Sequence, residues 1–277
     1  MESGPGGRSN VEAMTTVLVT NDDGVGSPGL AALVRAVAGP GRRVVVAAPA
    51  SDQSGTSAAV APRPAEGVRI ERVSIAGLDE PGFSDLIAYA VDGPPALCVL
   101  GARLGELGGP AASASVVASG VNLGPNTGVS VLFSGTVGAA MAAANLGISG
   151  LAVSIDAFKP VHLATATTVA DAALDWVLDA PAGTVLNVNV PDRPVDRLAG
   201  VRQAPLASLG QVEASIREEG SEPFLAQFHI AQRDPEPGTD AALLREGWVT
   251  VTSLLGIRAD TEVEIASVIE RALARAA

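Results

Sequence analysis

Residues 16–48 read TVLVTNDDGVGSPGLAALVRAVAGPGRRVVVAA, and the order of signals in this stretch decides the fold. Thr16 to Thr20 is a short β-branched run of the kind that forms a buried strand. Ser27 and Pro28 then open a helix, because the serine hydroxyl accepts an orphaned N–H and proline has no N–H to lose at the first helical position. Leu30, Leu33, Val34 and Val37 fall on one helical face, and Gly39-Pro40 ends it. Val44 to Ala48 is a second strand. Strand, helix and strand in so short a span make a βαβ unit, which implies parallel pairing through a right-handed crossover.

The alternation continues outward from this unit. Two alternating runs within residues 68–91, Val68–Ile75 and Leu86–Val91, predict a hairpin. Pro94–Leu104 reads as a helix, Ser115–Ala118 as a strand and Thr136–Leu146 as an alanine-rich helix. Leu151–Ile155 reads as a strand, Val161–Leu178 as a long amphipathic helix and Val185–Val190 as a strand. Residues 205–240 lack periodicity and carry Pro205, Pro223, Pro235 and Pro237, so they read as an extension. Trp248–Leu254 is a late strand and Thr261–Ala274 a C-terminal helix. The pattern predicts an α/β fold: a three-layer αβα sandwich with a mostly parallel, Rossmann-like sheet. Its expected divisions are an N-terminal arm (1–15), an α/β core (16–204), a projecting oligomerisation arm (205–240) and a C-terminal strand and helix (241–277).

Hydrophobic residues make up 47% of the 277-residue chain and aromatics only 3%, so Ala, Val and Leu must fill the core. A formal charge of −12 sets the chain against duplex nucleic acid, whose binding rests on neutralising phosphates. A small anionic substrate stays open if a bound cation supplies the positive charge. Cys98 is the single cysteine, so no intramolecular disulfide forms, and a cytoplasmic location is expected. Residues 1–13 have no apolar core of a signal peptide and read as a loose arm. No residue between Glu106 and Asp156 is charged, yet Pro110, Asn122, Pro125 and Asn126 break the stretch. It reads as a buried sheet centre with a polar loop, and no membrane association is expected.

Asn21-Asp22-Asp23-Gly24 follows the first strand, at the end where open α/β sheets collect ligands. Adjacent carboxylates repel, and protonation, water or a bound cation relieves them. A solvated turn that caps the next helix accounts for the dipeptide equally well. The other strand ends add weight to a site. The second strand leads into Pro49-Ala50-Ser51-Asp52-Gln53-Ser54-Gly55-Thr56-Ser57, and the strand at 115–118 into Ser119-Gly120-Val121-Asn122-Leu123-Gly124-Pro125-Asn126-Thr127-Gly128. Hydroxyls, carboxylates and amide carbonyls are the ligands of hard cations such as Mg²⁺ or Mn²⁺. Ser134-Gly135-Thr136 at a helix start offers N–H groups and hydroxyls to an anion. With no Arg or Lys in this stretch, a phosphate held there is neutralised by metal and main-chain dipoles. His162, His229 and Cys98 show no zinc-ligand spacing; His162 reads as a helix flank and Cys98 as a core residue.

These motifs resemble the SurE survival-protein nucleotidases. The resemblance is carried by Asn21 to Gly29, the Gln53-Ser54-Gly-Thr-Ser loop, Ser119-Gly-Val-Asn-x-Gly-Pro-Asn, Ser134-Gly-Thr-Val, Leu186-Asn-Val-Asn-Val-Pro, Gly238-Thr-Asp and Gly247-Trp-Val-Thr-Val-Thr, in order over residues 16–255. It implies one divalent cation per subunit, Mg²⁺ or Mn²⁺, held by Asp22, Asp23, Ser54 and Asn122. It implies that Asn126 and Ser134, Gly135 and Thr136 face a phosphate. It further implies hydrolysis of nucleoside 5'-monophosphates, often of 3'-monophosphates, by a homodimer or homotetramer. Asp22 and Asp23 are then the catalytic acids, with Asp23 orienting or deprotonating the attacking water. Two positions depart from the family pattern: Leu97 stands where an acid precedes the cysteine, and Ala142 stands where a Glu follows the methionine.

Rival readings attach to the same residues. Gly24-Val-Gly26-Ser-Pro-Gly29 matches the glycine pattern of nicotinamide-dependent oxidoreductases, although the second strand ends in Ala48-Pro49 with its first acid, Asp52, beyond. A phosphatase working through an aspartyl phosphate would want Asp-x-Asp rather than adjacent acids. A phosphatase of another phosphorylated metabolite and a metal-binding homologue without catalysis complete the set.

Overall fold

A computed structural model gives the architecture and describes residues 14–60, 67–208, 212–217, 225–230 and 234–257, together with 266, 269 and 270. The expected N-terminal arm, up to residue 13, and the expected helix Thr261–Ala274, apart from those three residues, lie outside the described residues.

The opening unit forms as its sequence directs. Strand β1 (Thr15–Thr20) is buried almost end to end, helix α1 (Pro28–Val37) follows, and β2 (Arg42–Pro49) pairs parallel to β1 with Val17 opposite Val44. Ser27 accepts the Gly29 N–H at 3.2 Å, which satisfies one free donor of the first turn. Leu30, Leu33, Val34 and Val37 are fully buried, each contributing on the order of 2 kcal/mol of hydrophobic stabilisation. The predicted hairpin is present as β3 (Ile70–Arg72) antiparallel to β4 (Ile87–Val91). Helix α2 (Pro95–Arg103), β5 (Val116–Leu123), helix α3 (Gly135–Asn145), β6 (Ser149–Ile155), helix α4 (Leu163–Asp179) and β7 (Val185–Val190) follow in the expected order.

Strands β8 (Gly200–Gln203), β9 (Val212–Arg217) and β10 (Leu225–Ile230), helix α5 (Asp240–Arg245) and β11 (Trp248–Leu254) complete the described elements. Nine strands form one sheet in the order β3-β4-β2-β1-β5-β6-β7-β11-β8. Pairing is parallel from β4 across to β7, while β3 and β11 run antiparallel to their neighbours β4 and β7. The segment read as an unpatterned extension contains the antiparallel pair β9–β10. The strand assigned to a separate C-terminal piece instead lies inside the main sheet, between β7 and β8.

Helices α1 and α4 cover one face and α2 and α3 the other, giving the three layers. The alanine-rich sequence of α3 lets it approach closely: a Cβ on Gly138 would collide with the Ser57 backbone, and one on Gly150 of β6 with the Ala140 backbone. From β1 the chain moves to β2 on one side and later to β5 on the other. That reversal opens a crevice at the carboxyl ends of β1 and β5, where ligands of such sheets bind.

Candidate active site

Four pieces of chain meet at this crevice. The β1 turn begins at Asn21, whose Nδ2 donates to the Gly24 carbonyl at 3.0 Å and closes the turn. Gly24 has φ +94°, a left-handed conformation that favours glycine, and a Cβ there would lie 3.1 Å from the Ser51 carbonyl carbon. The β1 turn therefore lies directly on the β2 loop. Gln53 N donates to the Asp22 carbonyl at 2.7 Å and Val25 N to the Pro49 carbonyl at 2.8 Å, fastening the two together.

The third piece is the end of β5. Its pairing with β6 breaks after Ser119 and resumes at Asn122 opposite Ser154, so the strand runs on to Leu123, past the expected end at Ala118, and Asn122 sits on it. Leu123 N donates to Asp23 Oδ2 at 3.3 Å, bringing this strand end to the acid pair. The fourth piece is the start of α3. The Thr136 hydroxyl and the N–H groups of Thr136 and Gly135 donate to the Asp22 carboxylate. A Cβ on Gly135 would come within 2.8 Å of Asp22 Oδ2, so only glycine lets the helix end close on the acid.

Electrostatics mark the acids as an unstable pair. Burial pushes the Asp22 carboxyl above its ordinary value, and the hydrogen bonds from the α3 start pull it partly back. Asp23 is pushed up to about 6, chiefly by burial and then by the charges of Asp22 and Asp52. Beside them, Asn21 Oδ1 and Ser119 Oγ are buried with no hydrogen-bond partner, as a site that takes an ion or ordered water leaves its oxygens.

The segments that carry the four candidate metal ligands meet at this place, Gln53 bonding the Asp22 carbonyl and Leu123 the Asp23 carboxylate. Asp22 and Asp23 form its floor. Ser54 donates its hydroxyl proton to Asp52 Oδ1 at 2.6 Å, which leaves its oxygen lone pairs for a cation. Asn122 spends its amide N–H on the Gly124 carbonyl at 2.6 Å, which leaves its Oδ1 free to accept. Among the described residues no three Asp, Glu, His or Cys side chains gather into a group that could hold a cation by themselves, and the hydroxyl and the amide are the further oxygens that such an ion could use. These donors are all hard oxygens and fit Mg²⁺ or Mn²⁺. Asp52 is the residue to which sequence reasoning gave no role. Its signal was present, an acid two residues before Ser54 in a strand-end loop.

The expected phosphate contacts look different in the structure. Thr136 and Gly135 direct their donors to Asp22, and Ser134 Oγ accepts from Val137 N at 3.1 Å as the helix cap. Asn126 is buried, with Nδ2 on Ser154 Oγ at 2.9 Å and its backbone held by Asn187 and Asn189. Its job here is to fix the loop after β5. The alternating asparagines of β7 thus have a structural use: both lie on the loop-facing side of their strand.

The remaining candidates belong to other elements of the fold. His162 precedes α4 and is held through its N–H by Asp192 at 2.7 Å, and His229 falls on β10. Cys98 is buried, and burial pushes its thiol up to about 12, as suits an inert core residue. Of the dinucleotide-like glycines, Gly29 is accounted for by packing: a Cβ there would collide with the Val121 carbonyl of β5, a close helix–strand contact, whereas a Cβ on Gly26 would meet nothing. Leu97 folds back over Gly93 at the start of α2.

Comparison with known proteins identifies the family and the fold. The family described as Survival protein SurE matches residues 17–213. The 5'-nucleotidase SurE of Methylococcus capsulatus is 37% identical over 243 residues, covering 86% of this chain and 90% of that protein. The 5'-nucleotidase SurE of Methanopyrus kandleri is 36% identical over 252 residues, covering 86% of this chain and 90% of its own. The crystal structure of the SurE protein from Aquifex aeolicus superposes with a TM-score of 0.72 at 28% identity, covering 93% of this chain and 99% of that one.

Proposed function

The chain belongs to the SurE family, and we propose that it is a divalent-metal-dependent phosphomonoesterase that hydrolyses nucleoside 5'-monophosphates, and 3'-monophosphates as well, to nucleoside and phosphate. The observation that carries this reading is the acid pair at a strand end, Asp22 buried and Asp23 half-buried, with the Asn122 and Ser54–Asp52 segments beside it and no basic side chain in the surrounding stretch from 107 to 155. A cation is what such a cluster requires in order to accept a phosphate dianion.

Asp22, Asp23, Ser54 and Asn122 would hold one Mg²⁺ or Mn²⁺. When bound, the cation supplies Lewis-acid polarisation of the phosphoryl group and acidification of the attacking water. The protein's own residues do the rest. Asp22 is fixed in direction by the Thr136 and Gly135 donors, which partly offset the rise that burial imposes on its carboxyl. Asp23, the more exposed of the two, orients the water and takes its proton. Because the donors at the start of α3 are committed to Asp22, the Ser134-Gly135-Thr136 turn acts on the phosphoryl oxygens through the positive end of its helix. Asn126, held by its three neighbours, fixes the loop that positions Asn122.

The proposal includes assembly as a homodimer or homotetramer, which the exposed Val129, Leu132, Phe133, Leu255 and Ile257 support. No helix among the described residues is long and apolar enough to cross a membrane.

The test is phosphate release from a panel of nucleoside monophosphates and other phosphorylated metabolites, with Mg²⁺, with Mn²⁺ and with chelator. Turnover of nucleotides that chelator abolishes, and that Asp23→Asn lowers by at least about a hundredfold, is expected. Turnover indifferent to chelator, or confined to esters other than nucleotides, would contradict the proposal.

A further inference from the structure

The chain contains five Phe, two Trp and one Tyr, few enough that a large exposed ring calls for an explanation. Phe158 is 69% exposed. It lies just past the carboxyl end of β6, the strand adjacent to β5, and so stands on the same edge of the sheet as the acid pair. Its ring has a prepared seat. The ring lies against the loop at Gly124, where a Cβ would come within 2.9 Å of Phe158 Cε1 and where φ +134° itself calls for glycine. That loop is held at both groups of Gly124: its N–H donates to the Ile155 carbonyl at 3.0 Å and its carbonyl accepts the Asn122 amide at 2.6 Å.

The exposed ring and the ligating amide of Asn122 are therefore parts of one rigid piece. The residue after Asn122, Leu123, reaches the Asp23 carboxylate through its N–H, and the next, Gly124, carries the ring. A substrate whose phosphate sits at the acids and whose remainder extends along this loop, from Leu123 to Gly124, meets an aromatic face. We infer that Phe158 is the platform on which the base of a bound nucleotide stacks, and that it sets the preference for nucleotides over phosphate esters lacking an aromatic group; this rests on the phosphomonoesterase reading above. Stacking on a ring is tolerant of base identity because every base has a π-face. The site then separates nucleotides from simple sugar phosphates strongly and separates one base from another weakly.

The experiment compares the wild-type chain with Phe158→Ala and Phe158→Trp on adenosine 5'-monophosphate and on ribose 5-phosphate, with Mn²⁺ present. Phe158→Ala is expected to raise KM for the nucleotide about tenfold with kcat little changed, to leave ribose 5-phosphate kinetics as they were, and to be rescued by Phe158→Trp. Equal losses on both esters, no loss on the nucleotide, or the nucleotide-specific loss arising from Phe133→Ala instead would overturn it. So would a change of oligomeric state in Phe158→Ala by light scattering with parallel losses on both esters, which would assign the ring to a subunit contact. A wild-type chain that hydrolyses neither ester would overturn the phosphomonoesterase reading and this inference with it. Hydrolysis of both with an indifferent Phe158 would overturn this inference alone.

Discussion

The Thr136 hydroxyl donates to Oδ1 of Asp22 across 114 residues of sequence, so the first turn of α3 and the end of β1 form one unit. Asp22 is almost fully buried, at 3% exposure, and a buried carboxylate without its donors is destabilising. Thr136→Val keeps the shape and removes the hydroxyl. It is expected to lower the stability of the metal-free protein by about 1–3 kcal/mol in urea unfolding, while Thr136→Ser stays close to wild type. Equal effects of the two substitutions would show that the hydroxyl is not what matters.

A pH dependence follows from Asp23, which burial and its acidic neighbours raise from an ordinary 3.8 to about 6. Between these values the folded protein still holds a proton that the unfolded chain has released. The metal-free protein therefore loses stability as pH rises from 3.8 towards about 6. A cation binds the ionised form and competes with the proton. The rise in Tm on adding Mn²⁺ is expected to be large near about pH 7.5 and to vanish near about pH 4.5. Asp23→Asn should flatten both responses in a thermal-unfolding series. A metal-free Tm in wild type that does not fall across this window would refute the assignment.

Asp240 ties the far side of the site together. This fully buried carboxylate accepts N–H bonds from Gly128 at 2.9 Å, Ala207 at 2.9 Å and Ala241 at 2.8 Å, joining the loop after β5 to the start of α5. Asp240→Asn sets an amide NH₂ against one of these donors. A loss of about 2 kcal/mol or more is expected in urea unfolding, with turnover per folded molecule reduced only modestly. Wild-type stability in this variant would contradict the role.

What could be read in the sequence follows local physics. The span from Thr16 to Ala48 carried its strand, cap, apolar face and stop in adjacent residues, and β1, α1 and β2 match it. The strand end at Asn122 was missed because Gly120, Gly124 and Pro125 read as a turn, whereas pairing with Ser154 and Ile155 of β6 extends the strand. No local signal announces a partner strand. The same limit hid the place of β11, whose sequence identifies a strand but not its seat between β7 and β8. At the site, the acids, Ser54 and Asn122 were legible as residue types gathered at strand ends. The engagement of the Thr136 and Gly135 donors by Asp22, and of Asn126 by Asn187 and Asn189, depends on contacts between distant segments that no local pattern encodes.

The most direct test of the account is titration calorimetry of the purified chain with Mn²⁺ near about pH 7.5, where the acids would be ionised by the incoming cation. The account predicts one Mn²⁺ bound per chain, with binding lost in Asp22→Asn and in Asp23→Asn although both variants remain folded. Absence of binding in the wild-type chain, or binding that survives either substitution at full affinity, would contradict it.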